Sequence, residues 1–296
     1  MKKLLLGLCA LLYAAAAAAE SLTLEHNGLA VSANLETSGE GWQQGPVLLM
    51  THGTLAHNKM EIMETLQQVF LDRGISSLAI NLSLGLSERE GMYDCAVPHT
   101  HKHTDAVDEI GLWLDWLKQQ GAEQVVLLGH SRGGNQTARY AAAHDSDAIR
   151  GVILIAPQTW SERYAAEDYQ KRYGKALAPL LKKAEQLLAA GKGETMMQPV
   201  DFIYCEQTAA SAEAFVSYYR PDEKMDTPTV VGTIDKPVLV FAGSADKVVT
   251  GLAKKMETVS ERDTVQFEVI DGADHFFRDL YAEDLADIAL DFIEAL

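Results

Sequence analysis

Cysteine is scarce: 3 residues in a chain of 296, with no Cys-x-x-Cys pair. That is too few for a disulfide scaffold, so the fold must stand on its hydrophobic core. Positive charge is also short, with 25 Lys and Arg against 42 Asp and Glu and a net charge of -17. Such a surface repels phosphate backbones, and nucleic acid is not an expected partner. No apolar window of about 20 residues occurs after the N-terminus, which excludes a multispan membrane protein. Glycine (22) and proline (8) show neither a collagen nor a linker bias. What remains is ordinary globular composition, 47% hydrophobic and 23% charged, at a length suited to one large or two modest domains.

Residues 1–19 have the three regions of a signal peptide. Met1, Lys2 and Lys3 supply the basic start, Leu4 to Tyr13 the apolar stretch, and alanines ending at Ala19 a small-residue exit before Glu20. Cys9 follows Leu8 inside the apolar stretch, where a lipid-attachment site would need a small residue, so no stable membrane anchor is expected. The sequence therefore predicts export, to a bacterial periplasm or the medium, of a domain spanning 20–296. Export places Cys95 and Cys205 where disulfides persist, and a bond between them is expected.

Short apolar runs alternate with amphipathic stretches, the pattern of an α/β sheet. Strands are predicted over residues 29–36, 46–51, 75–82, 124–129, 151–156, 237–242 and 265–270, and helices over 59–71, 104–119, 135–144, 252–259 and 282–296. The segment 157–235 parts two of these strands by far more than a connecting loop needs, so it is an insertion with structure of its own. Leu177, Leu180, Leu181, Ala184, Leu187 and Leu188 recur there at helical spacing. The insertion is also rich in aromatic residues, among them Trp160, Tyr169, Phe202, Phe215 and Tyr218. Such rings either pack the insertion onto the sheet or enclose a ligand as a lid.

The chemistry lies at the ends of strands. The run Val125 to Leu128 enters Gly129, His130, Ser131, Arg132, Gly133 and Gly134, a Gly-x-Ser-x-Gly turn between a strand and a helix. That turn holds the serine strained and its Oγ above the sheet, while the glycines let strand and helix pass. A hydroxyl needs a base to remove its proton, and the base needs a carboxylate to fix its tautomer. Asp246 follows the strand at 237–242, and His275 follows the strand at 265–270, giving the order Ser131, Asp246, His275. Asp274 is a rival acid, but adjacency to His275 makes a well-aligned bond to Nδ1 awkward. Two backbone N–H groups must hold an oxyanion. Arg132, at a helix N-terminus, is the first, and Thr54, after the strand at 46–51, is the second, with Leu55 as its substitute.

On these residues the chain resembles the α/β-hydrolase superfamily, in particular its lidded esterase, lipase and serine aminopeptidase-like members. His52 with Gly53, the Gly129 to Gly133 elbow, the Gly243 to Asp246 turn and the Gly272 to His275 turn match four family landmarks in order. The resemblance implies a mostly parallel, eight-stranded sheet flanked by helices, with 157–235 as a mainly helical lid. Asn81 to Ser87 departs from the glycine-rich loop often found after the corresponding strand. Ser131 argues against the aspartate-nucleophile branches of the family.

The cluster His99, His101, His103 and Asp105 reads as a polar loop, as a metal site, or as a set of substrate contacts. The reading adopted is an exported serine hydrolase that cleaves an acyl bond, most readily a carboxylic ester, in a small-molecule substrate. It needs no cofactor. The alternatives are a peptidase or thioesterase of the same fold, a non-catalytic binding module, and a metal-dependent hydrolase using the 99–105 histidines.

Overall fold

The computed structural model describes residues 18–296. The signal peptide expected over 1–19 lies outside the described residues except for its last two alanines, which open the first strand.

Two strands, β1 (Ala18–His26) and β2 (Leu29–Thr37), form an antiparallel hairpin that carries the sheet's exposed edge. There follow β3 (Val47–Thr51), α1 (Glu61–Asp72), β4 (Ser76–Asn81), α2 (Asp105–Gln119), β5 (Val125–His130), α3 (Arg132–Ala143) and β6 (Ile149–Ile155). After β6 come α4 (Glu162–Tyr173), α5 (Leu177–Ala189), a hairpin of β7 (Met196–Phe202) and β8 (Cys205–Ser211), α6 (Ala212–Tyr219) and α7 (Thr227–Val231). The chain then returns through β9 (Val238–Gly243), α8 (Leu252–Val259), β10 (Val265–Ile270) and α9 (Leu280–Glu294). The central sheet has eight strands in the order β1-β2-β4-β3-β5-β6-β9-β10, parallel from β4 to β10.

Strand alternation explains the layers. Side chains along a strand point to opposite faces in turn, so an uninterrupted apolar run feeds two cores, as a parallel sheet covered on both sides requires. Leu48, Met50, Val126, Leu128, Leu239 and Phe241 face one way, toward Phe70 of α1 and Leu285 and Phe292 of α9. Their neighbours Val47, Leu49, Val125, Leu127, Val238 and Val240 face the other way, toward Trp113 and Leu117 of α2, Ala138 of α3 and Met256 of α8. The two cores fix β5 in the interior of the sheet, with its C-terminal end beside those of β3 and β6. In open α/β sheets that edge is where ligands bind.

Two elements differ from the sequence reading. β1 extends the sheet beyond the predicted strand at 29–36. The insertion between β6 and β9 holds a hairpin, β7 and β8, besides its helices, and the main-chain groups of His99 pair with Ala209 and Ser211, placing the loop before α2 alongside β8.

Candidate active site

Ser131 sits between β5 and α3 with φ 56° and ψ -121°, a conformation rarely tolerated outside glycine. The turn is over-determined by its neighbours. A Cβ on Gly129 would lie 2.6 Å from the carbonyl oxygen of Gly133, and one on Gly133 would lie 2.6 Å from that of Thr51. Only hydrogen fits at either position, so the strand can enter the helix at this angle and no other residue type preserves it.

The groups expected to act with Ser131 meet there. His275 Nε2 stands 3.0 Å from Ser131 Oγ, and His275 Nδ1 stands 2.8 Å from Asp246 Oδ2. An ionised carboxylate can only accept, so Nδ1 carries the proton and Nε2 is left to accept from the serine hydroxyl. The other carboxylate oxygen, Asp246 Oδ1, accepts from the N–H groups of Val248 and Val249 at 2.7 and 3.0 Å. Burial pushes the Asp246 carboxyl up, but its bonds to His275 and to these two N–H groups outweigh burial and hold it below the ordinary value. Asp274 is turned away: it accepts from Phe276 N at 2.8 Å and pairs with Arg278 at 3.1 Å.

The opposite wall is the turn after β3. A Cβ on Gly53 would touch Ser131 Cβ at 3.1 Å, so this turn runs directly against the nucleophile candidate. Thr54 is tied to the elbow, its Oγ1 accepting from Arg132 Nε at 2.9 Å. Arg132 is the first residue of α3, a position whose amide N–H has no partner within the helix. Leu55, the substitute for Thr54, is buried with φ 54°.

The model of the serine aminopeptidase S33 family, Hydrolase_4, matches residues 45–278, from just before β3 to just past His275. The chain belongs to this family of α/β hydrolases. Est1E from Butyrivibrio proteoclasticus is similar in fold, with 16% identity and a TM-score of 0.61 over 93% of this chain and 99% of that one. Est1E bound to ferulic acid gives 17% and 0.64 over 92% and 99%. E-2-(acetamidomethylene)succinate hydrolase gives 20% and 0.57 over 94% and 100%. At such identities the likeness is one of fold.

The hydrolase uses its histidine cluster to join parts of the chain. His99 Nδ1 lies 3.1 Å from His101 Nε2, His101 Nδ1 lies 2.8 Å from Tyr218 Oη, and His103 Nε2 lies 2.9 Å from Asn135 Oδ1. These bonds tie the rings to one another, to the insertion and to α3, while His99 Nε2 is buried with no hydrogen-bond partner among the described residues. Asp105, the cluster's fourth member, pairs with Lys102 at 3.4 Å. Among the described residues no three His, Cys, Asp or Glu side chains converge as a metal ion would need. Burial lowers His99 to about 4 and keeps His101 and His103 well below the usual imidazole range, so all three stay neutral.

Cys95 and Cys205 are bonded, with their Cα atoms 5.3 Å apart, inside the span a bridge requires. The bridge joins the loop before α2 to the start of β8 in the insertion. The insertion's rings mostly build its own core: Tyr169, Phe202, Phe215 and Tyr219 pack edge to face or tilted on one another. Tyr218 is different, since it reaches His101, His103 and Arg132.

Sequence reasoning missed the groups that hold the 81–87 loop. Arg89 donates to Asn81 Oδ1 at 2.7 Å and to the Leu82 carbonyl at 2.8 Å. Glu109 accepts from both the N–H and the hydroxyl of Ser83, at 2.8 and 2.6 Å. His52 donates Nδ1–H to its neighbour's carbonyl and accepts from Leu82 N–H at Nε2, 3.1 Å away, which ties the β3 turn to the same loop. His130, the x before Ser131, donates Nε2–H to the His275 carbonyl at 2.9 Å and so fixes the backbone that carries the His275 ring. The partners of Arg89 lie seven and eight residues away, but Glu109, His52 and His130 reach partners 26, 30 and 145 residues away, and no local pattern announces them.

Proposed function

We propose that this chain is a serine hydrolase that cleaves an acyl bond, most readily a carboxylic ester, through an acyl-serine intermediate. The observation that carries the reading is the hydrogen-bonded chain from Ser131 through His275 to Asp246 on a strained elbow. His275 Nε2 takes the hydroxyl proton as Ser131 Oγ attacks the carbonyl carbon, and Asp246 stabilises the imidazolium and holds its orientation. The oxyanion is held by the N–H groups of Arg132 and Thr54, each such donor being worth about 10²–10³ in rate. His275 returns the proton to the departing alcohol. Water then attacks the acyl-serine with the same base, restoring Ser131 and releasing the acid.

Ester cleavage is favoured over peptide cleavage because an alcohol is the better leaving group, and because esterases are among the proteins that share this fold. Activity is assigned to residues 20–296, with 157–235 as the lid and a small-molecule acyl compound as substrate. We also propose export. Its support is the leader-like start of the sequence and a disulfide of the kind that persists in oxidising compartments. No helix among the described residues is long and apolar enough to cross a membrane.

A fluorophosphonate probe tests the reading. It is expected to form one adduct, on Ser131, and Ser131→Ala should lose both the adduct and turnover of 4-nitrophenyl acetate with its thermal melt unchanged. Folded protein that forms no Ser131-dependent adduct refutes the serine mechanism.

A further inference from the structure

Arg132 follows the nucleophile candidate directly, and its side chain is half-buried. Its guanidinium is fixed on three sides. Nε donates to Thr54 Oγ1 at 2.9 Å, Nη1 lies 3.5 Å from His103 Nδ1, and the guanidinium carbon sits 5.1 Å from the centre of the Tyr218 ring. All three neighbours are neutral. Burial first, and then Arg132 itself, keeps His103 well below the imidazole range, while burial raises the Tyr218 phenol.

No carboxylate among the described residues lies within ion-pair distance of Arg132, although other basic side chains nearby are matched. Asp105 pairs with Lys102, Asp222 with Arg139, and Asp246 with His275. A half-buried cation without a counter-charge is costly unless something supplies the charge. This one is held in place by contacts that leave Nη2 and part of Nη1 undirected. A guanidinium in that state presents two parallel N–H groups, the geometry that a carboxylate meets bidentately.

We infer that Arg132 is the specificity determinant for an anionic substrate, an ester whose acyl part carries a carboxylate a few bonds from the scissile carbonyl. The inference rests on the acyl-hydrolase reading above. The chain places the guanidinium one residue from Ser131 and fixes it to Thr54, beside the expected oxyanion position. On this reading, pairing with a substrate carboxylate helps to position the scissile carbonyl at Ser131 Oγ. The backbone N–H of Arg132 and its side chain have separate tasks: the first holds the developing oxyanion, and the second selects the acyl group.

The test compares monomethyl succinate and monomethyl glutarate with methyl butyrate, by proton release at constant ionic strength. The wild type should favour one of the two acids over butyrate by about 10- to 100-fold in kcat/KM, the range expected of a charge-assisted pair. Arg132→Gln should bring that ratio close to one, and Arg132→Lys should retain part of it. A role confined to bracing Thr54 would slow both kinds of ester together and leave the ratio where it was. A wild-type ratio near one, or one that Arg132→Gln does not change, overturns the inference. Should none of the esters be turned over and no fluorophosphonate adduct form, the acyl-hydrolase reading fails and binding decides the anion site. Succinate, but not succinamide, should then raise the melting temperature of the wild type and not that of Arg132→Gln. Equal shifts in both proteins, or none in the wild type, count against the site.

Discussion

Asp246 and Asp274 stand on neighbouring turns, yet only Asp246 reaches His275, at 2.8 Å, while Asp274 faces Arg278. Proximity in sequence is the wrong guide here, because a residue next to the histidine cannot fold back to its Nδ1, whereas one at the end of the adjoining parallel strand points straight at it.

Asp246→Asn should lower kcat by about 10³–10⁴, since the amide no longer enforces the tautomer that leaves Nε2 free. Asp274→Asn removes an exposed ion pair and should change stability by under about 1 kcal/mol, with kcat little affected. Steady-state kinetics on 4-nitrophenyl acetate, with melting curves for each variant, check both.

Acid should unfold the protein steeply. Burial holds His52 and His130 at about 3 and His99 at about 4, with His101 and His103 also well below the ordinary value of 6.5. The unfolded chain binds these protons below pH 6.5 and the folded chain does not. Their contribution is therefore complete above pH 6.5 and is lost as the pH falls toward the folded values, at about 1.4 kcal/mol per pH unit for each histidine. Urea titrations between pH 7 and 5 should show the loss, and His99→Phe should make the slope shallower.

Glu109 has the opposite sign. Burial pushes its carboxyl up to about 7 against the hydrogen bonds from Ser83, so between 4.5 and 7 the folded state keeps a proton that the unfolded chain has released. That stabilisation is complete below about 4.5 and disappears as the pH rises through 7. Glu109→Gln keeps an acceptor for Ser83 N–H and does not titrate. From pH 5 to pH 8 its stability relative to the wild type should improve by about 2–3 kcal/mol, read from urea midpoints.

Reduction of Cys95–Cys205 should cost stability. The bridge spans 110 residues, and closing a loop of that order is worth roughly 4–5 kcal/mol on the chain-entropy account. Melting curves with and without dithiothreitol, and for the double Cys→Ser variant, measure it.

The legible parts of the fold were those set by short-range sterics and strand periodicity. The Gly129 to Gly133 elbow is dictated by overlaps that any side chain would create, and the buried runs at β3, β5, β6 and β9 are apolar because both faces are covered. β1 was less legible because it lies at the exposed edge and begins within the leader-like alanines, and its alternating Leu22 and Leu24 stand among polar residues. The β7–β8 hairpin was obscured by Pro199 and an irregular register. For the candidate site, the order Ser131, Asp246, His275 could be read because each residue stands in the turn that follows a strand. The roles of Arg89, Glu109 and the histidine row could not, because each depends on a partner brought from another element.

The bridge from Cys95 to Cys205 closes a covalent ring around the stretch of chain that contains Ser131. A protease cutting an exposed turn between these cysteines would not release a fragment. The two pieces would stay joined through sulfur as one molecule of unchanged mass apart from a water, separating only when the bond is reduced. Oxidation thus lets the part of the chain that bears Ser131 stay attached after a backbone cut.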